Sequence, residues 1–119
     1  MAGPIQEPTF LILTALAAET LHGYGLMQQV KELSGSRVVL RTGTLYGALE
    51  RLAAEGLIVD DREEIVDGRL RRYYRLTDGG AALLAAEAER LQSNVEAARA
   101  GLRDRAARTV RPGLSASFA

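Results

Sequence analysis

The chain has 119 residues, with 15 basic and 15 acidic side chains and a net charge of zero; 47% of residues are hydrophobic and 25% charged. That balance fits one soluble globular domain with a modest core, and it argues against an indiscriminate polyanion binder, although local charge distribution matters more than the sum. The absence of cysteine excludes thiol catalysis, disulfides and Cys-ligated zinc, and a single histidine, His22, gives a metal site or catalytic triad nothing to build on within one chain.

Residues 1–7 carry little pattern and are expected to form a loose arm. The opening MAGPIQEP lacks a basic region followed by an apolar core, and no apolar run is long enough to span a bilayer, so the expected location is cytoplasmic. Pro8 suits the first turn of a helix running to about Glu19. In that helix Phe10, Leu11, Ile12, Leu13, Leu16 and Ala17 leave little polar surface, which places it in a core or between a core and a partner chain.

His22-Gly23-Tyr24-Gly25 breaks the first helix and starts a second, which extends to about Ser34 with Tyr24, Met27, Val30 and Leu33 as its inward face. Ser34-Gly35-Ser36 reads as a loop. Val38-Val39-Leu40 is too short for an independent strand but long enough to pair with a small sheet.

Residues 41–58 organise the rest. Thr42 is the expected N-cap of a third helix, Leu45, Leu49 and Leu52 fall on one face, and Gly56 is placed to end it. The opposite face carries Gly43, Gly47, Glu50, Arg51 and Ala54, with Thr44 beside them. Two glycines in an exposed helix cost about 1 kcal/mol each relative to alanine. Such a face fits a surface that something approaches closely, and a DNA major groove admits a helix of this kind. The second and third helices with their short connection form a helix-turn-helix pattern.

Residues 57–76 read as a β-hairpin with arms 57–65 and 69–76 and an Asp67-Gly68 turn. The second arm places Arg72, Tyr74 and Leu76 on one face and Arg71, Tyr73 and Arg75 on the other. One of these faces packs on the helices; the pattern leaves open which. Asp60, Asp61, Glu63 and Glu64 on the first arm can pair across to about half of the arginines. Arg69, Arg71 and Arg72, nearest the turn, have the better claim on phosphate. All the basic residues except Lys31 are arginine. Arginine suits phosphate and guanine, but a GC-rich genome produces the same bias.

Thr77 is the expected cap of a last helix over residues 77–108, with Asp78 in its first turn and Gly79-Gly80 weakening its start. Leu84, Ala88, Leu91, Val95, Ala98 and Leu102 recur in alternating steps of four and three, a seam suited to homodimerisation. A fold-back onto the chain's own domain is the competing reading. Residues 109–119 are expected to be a tail.

Helix, helix, helix, two-stranded wing and long helix is the order of a winged helix-turn-helix domain with an appended dimerisation helix. The fold class is therefore mainly α with a small β-hairpin, the winged domain spanning residues 8–76. The chain resembles the PadR-like family of bacterial transcriptional regulators in its Leu11-Ile12-Leu13 and His22-Gly23-Tyr24 segments. The resemblance continues through Gly43-Thr44-Leu45-Tyr46-Gly47-Ala48-Leu49, Arg51-Leu52, Glu55-Gly56-Leu57-Ile58 and Arg72-Tyr73-Tyr74-Arg75-Leu76-Thr77. A single C-terminal helix is similar to the shorter subgroup. The family pattern often has Ser-Pro where this chain has Arg41-Thr42, a departure that bears on operator preference and not on the fold.

The resemblance implies a homodimeric repressor with its two recognition helices in successive major grooves of a palindromic operator. The DNA-contacting set then comprises Arg41, Thr42, Gly43, Thr44, Tyr46, Gly47 and Arg51 on the helix, with Arg69, Arg71 and Arg72 on the wing. Tyr46 is equally readable as a packed ring. Phe10 joins Leu84, Ala88, Leu91, Val95, Ala98 and Leu102 in the expected dimer interface. The family's response to small aromatic or lipophilic effectors would place a pocket near Phe10, Leu13, Leu84, Ala88 and Leu91. Tryptophan is absent, so a dry dimer core competes with that pocket. A winged-helix protein–protein module is the rival reading. No catalytic set, metal site or cofactor is expected.

Overall fold

The computed structural model describes residues 4–110, so residues 1–3 of the expected arm and residues 111–119 of the expected tail lie outside it. The elements run α1 (Glu7–Ala18), β1 (Leu21–His22), α2 (Gly23–Leu33), α3 (Thr42–Ala54), β2 (Ile58–Val66), β3 (Arg69–Leu76) and α4 (Asp78–Val110). This is the mainly helical architecture with a small sheet that the sequence led us to expect.

Helix α1 starts one residue earlier than expected, with Gln6 as its cap and Pro8 in its first turn, where a missing N–H costs no helical hydrogen bond. Leu11, Ile12, Leu13, Ala15 and Leu16 are all buried, as an almost wholly apolar helix requires. The preceding arm is shorter than the sequence implied, because Ile5 already packs against the core.

The inward face of α2 is the expected one only in part: Val30 and Met27 face the core, but Tyr24 and Leu33 do not. Leu26 and Val30 are fully enclosed with Gly23, whereas Tyr24 and Leu33 are 61% and 48% exposed. The helix begins at Gly23, and the stripe at i, i+3 and i+7 from there turns Tyr24 outward, where its hydroxyl accepts from Gln28 Nε2 at 2.9 Å. The turn after α2 uses left-handed backbone at Gly35 and Ser36. Buried Ser34 accepts from the Val38 amide at 2.9 Å through its Oγ. Residues 38–40 form no strand; Leu40 is instead a buried core residue. The third strand is β1, too short to leave a periodic signal, and it gives the sheet order β1-β3-β2.

Helix α3 is capped by the extended backbone of Arg41, with no side-chain cap bond, so Thr42 is its first helical residue rather than its cap. Leu45, Leu49 and Leu52 are buried together with Ala48. Each leucine contributes on the order of 2 kcal/mol by burial, which offsets the roughly 1 kcal/mol that each of Gly43 and Gly47 costs. Gly56, at φ +76°, ends the helix. The Leu57 amide bonds back to the Leu52 carbonyl and the Gly56 amide to that of Ala53, each at 3.0 Å, a Schellman closure.

Strands β2 and β3 pair antiparallel from Ile58↔Leu76 to Val66↔Arg69, around a two-residue turn with Asp67 at φ 51° and Gly68 at φ 75°. Positive φ at both positions is the type I′ geometry that Asp-Gly favours. A bulge between Asp60 and Arg62 shifts the register. The face left open by the sequence is now assigned: Tyr74 is 7% exposed and packs inward, with Leu76 beside it.

Thr77 caps α4 as expected, its Oγ1 accepting from the Gly80 amide at 3.0 Å and donating to the Gly56 carbonyl at 2.7 Å. At Gly80 the expected weakening of the helix start gives way to close packing. Gly80 is buried, and a Cβ there would collide with the Leu57 carbonyl oxygen. Leu83 and Leu84 pack against the core, so the first turns of α4 belong to the winged domain. The chain divides into two compact units between Glu87 and Ala88, well beyond the boundary at residue 76. No described helix is long and apolar enough to cross a membrane.

Candidate nucleic-acid interface

The outward face of α3 is bare backbone at two positions, Gly43 and Gly47. A Cβ added at Gly43 or Gly47 would meet no atom within 4 Å. Thr42, Thr44 and Tyr46 are exposed around these glycines, with Arg41 exposed at the helix start. A surface without side chains lets another molecule approach the helix itself, and the hydroxyls beside it can donate to or accept from that molecule.

The two flanks of α3 differ. On one flank Tyr46, Gly47, Glu50 and Ala53 form a groove with Asp60, Arg72 and Tyr74 of the wing, about 400 Å³ in volume. On the other, Arg51 Nη2 donates to Thr9 Oγ1 at 3.3 Å, over a cleft that includes Ile5 and Leu83. The structure thus turns the Arg51 guanidinium toward α1, although the side chain stays exposed.

The wing arginines separate into two classes. Arg72 sits 3.0 Å from Glu63 and 3.8 Å from Asp60, and the Glu63 hydrogen bond raises its pKa above the ordinary arginine value. Arg75 pairs with Asp61 at 3.2 Å, and Arg62 with Asp61 and Glu64 at 3.3 and 3.4 Å. Cross-strand carboxylates therefore hold Arg72, which the sequence had grouped with the phosphate-directed residues. Exposed pairs of this kind are worth at most about 1 kcal/mol, so a phosphate can still compete for it. Arg69, Arg71 and Arg41 have no ion pair among the described residues.

A third cleft, about 490 Å³, lies between the start of α2 and the outer wing. His22, Gly23, Tyr24 and Tyr46 line one side, and Arg69, Arg71 and the carboxylate-paired Arg72 the other. Sequence reasoning singled out the His22-Gly23-Tyr24 run as a motif but assigned it no contact. The signal was Gly23 itself: a Cβ there would lie 2.8 Å from Tyr46 Cζ. Tyr46 is accordingly both packed and presented, its ring against Gly23 and its surface 46% exposed. His22 meets the Tyr73 ring edge-on at 5.3 Å, and Arg62 lies 4.0 Å over the same ring. Burial lowers the His22 pKa, with the nearby Arg71 charge acting in the same direction and Glu64 opposing it.

Of the residues expected at an effector pocket, Phe10, Leu13 and Leu84 belong to the first unit and Ala88 and Leu91 to the second. Leu13 is fully enclosed in the chain's own core, and Phe10 and Leu84 are half-buried against that core. None of the three clefts described above is lined by this set. In the second unit, Ala88, Leu91, Val95, Ala98 and Leu102 are exposed along one stripe of α4. Among the described residues no acidic, histidine or cysteine cluster could hold a metal ion.

With that geometry in hand, residues 12–86 match the PadR-like family of transcriptional regulators. The chain belongs to this family. The transcriptional regulator Rv3488 of Mycobacterium tuberculosis is 42% identical over 81 residues, covering 68% of this chain and 72% of its own. A PadR family regulator from hypervirulent Clostridium difficile superposes with a TM-score of 0.70 at 27% identity, covering 82% of this chain and 99% of its own. Bacillus subtilis PadR, solved in complex with operator DNA, gives a TM-score of 0.60 at 28% identity, covering 68% of this chain and 47% of its own. The PadR fold accounts for the winged arrangement, and the family is one of regulators rather than enzymes.

Proposed function

We propose that the chain is a homodimeric, DNA-binding repressor that lays α3 in the major groove of a palindromic operator and sets the wing on the flanking backbone. The observation that carries this reading is the open, glycine-lined face of α3, bordered by Arg41 and by the wing arginines Arg69 and Arg71, which have no ion pair among the described residues. Thr42, Thr44 and Tyr46 supply hydroxyls for base edges or phosphates. Operator binding by the Bacillus subtilis relative supports the same use of the fold here.

The exposed stripe of Leu91, Val95 and Leu102 supports pairing through α4, since apolar side chains at seam spacing gain by burial against a second copy. Two-fold pairing sets half-sites about one helical turn, ~34–36 Å, apart. Effector control would act by shifting the population of recognition-helix spacings.

Selection of duplexes from a random pool, with sizing of the complex, tests the reading. The expected result is a palindromic site bound by two chains, with affinity falling steeply as salt rises. Recovery of no preferred duplex at low ionic strength, or a complex containing one chain, overturns it. A Val95→Glu change in the seam should shift the free protein toward single chains and weaken operator binding.

A further inference from the structure

We propose that the cleft between the start of α2 and the outer wing seats one backbone phosphodiester of the bound duplex, and that Gly23 exists to let Tyr46 reach it. This rests on the DNA-binding reading and assigns it residues on α2. Three observations converge. Strand β1 pairs β3 only at Tyr73 and Tyr74, so residues 69–72 have no strand partner on that side, and the cleft opens along them. Of the three arginines lining it, Arg69 and Arg71 have no carboxylate within ion-pair distance among the described residues, whereas Arg72 does, as do Arg62 and Arg75 elsewhere on the wing. On the opposite wall the Tyr24 hydroxyl already accepts from Gln28 Nε2, which leaves its own proton to donate outward.

Three arginines, of which Arg72 is already held by Glu63 and Asp60, two phenolic hydroxyls and a single acid at the rim, Asp67, suit a singly charged, multiply accepting anion. The phosphodiester is the anion that a duplex lying on α3 would present, because Tyr46 belongs both to α3 and to this cleft. Gly23 is a positioning residue. Any larger side chain would occupy the space of the Tyr46 ring and push the phenol off α2.

The test uses the full chain and an operator duplex recovered by selection, in which single phosphates are replaced in turn by neutral methylphosphonates. In the wild type one replacement on each half-site should cost about tenfold in Kd. In Arg71→Gln that same replacement should cost almost nothing further, and the log–log salt slope should fall by about one. Tyr24→Phe should weaken binding severalfold with an unchanged melting temperature, since the side chain is exposed. Gly23→Ala should weaken binding about tenfold in the wild-type background. It should cost nothing more in a Tyr46→Ala background, which separates positioning from misfolding. If the wild type binds duplex but no methylphosphonate is silenced by Arg71→Gln, or Gly23→Ala acts equally with and without Tyr46, the cleft assignment falls alone. If the wild type binds no duplex, the DNA-binding reading falls and takes the cleft with it.

Discussion

The starts of α2 and α4 and the outward face of α3 all carry glycine in a helix, and for opposite reasons. At Gly23 and Gly80 the missing Cβ is filled from outside, by the Tyr46 ring in one case and by the Leu57 carbonyl in the other. At Gly43 and Gly47 nothing enters the space within 4 Å. Closed glycines are therefore part of the fold's own packing. Open ones weaken the helix and give the fold nothing in return, which makes them evidence of something that docks there. Helix propensity alone treats all four positions alike.

Substitution by alanine should split the two classes by sign. Gly80→Ala has the largest expected effect. Its Cβ would lie 2.7 Å from Leu76 Cδ1 and 3.1 Å from the Leu57 carbonyl carbon, and the backbone there cannot rotate away as a side chain does. A loss of about 3 kcal/mol is expected, read as a lower midpoint in thermal or denaturant unfolding. Gly47→Ala and Gly43→Ala should each raise stability by about 1 kcal/mol while weakening operator binding. A stabilised variant with unchanged Kd would show that the open face is merely solvated, and the comparison would lose its functional half.

The cap at Thr77 sharpens the closed side. Its hydroxyl bridges the Gly56 carbonyl, just past α3, and the Gly80 amide in α4. Thr77→Ala removes both bonds and should cost about 1 kcal/mol, in the range of other N-cap deletions. Thr77→Ser keeps the hydroxyl and should lose much less, so the pair of variants distinguishes the bridge from the methyl group.

These residues also mark how far sequence reasoning reached. Local chemistry was readable: the type I′ turn at Asp67-Gly68, the Schellman stop at Gly56 and the cap at Thr77 each depend on residues within a few positions of one another. The leucine face of α3 was readable because three apolar side chains share one helical stripe. What stayed hidden depends on distant partners. The inward face of α2 turns on where that helix begins, and β1 is fixed only by pairing with Tyr73 and Tyr74. The separation of Arg72 from Arg71 needed more than the strand register, which puts Glu63 opposite Arg72 and Glu64 opposite Arg71: Glu64 is taken instead by Arg62 and the Tyr73 hydroxyl. Gly23 and Tyr46 lie on different helices, and no periodicity links them.

The smallest expected effect concerns how the loop leading into the open face is held. Arg37, between α2 and α3, donates to both carboxylate oxygens of Glu7 at the start of α1, at 3.0 and 2.6 Å. That hydrogen bonding holds the Glu7 carboxyl below its ordinary pKa. A carboxylate depressed in the folded state contributes stability that is present above its unfolded pKa and is lost as pH falls through the lower folded value. The contribution should therefore be full at neutral pH and disappear in the acid range below the ordinary glutamate pKa. Both side chains are exposed, and salt should shrink the effect further. Arg37→Gln should lower the unfolding midpoint slightly at neutral pH and leave it unchanged once Glu7 is protonated in both proteins. If the difference between the two proteins persists at acid pH, Arg37 holds the loop by packing its aliphatic stem rather than by charge. The α3 entry would then be set by the same close contacts as the closed glycines.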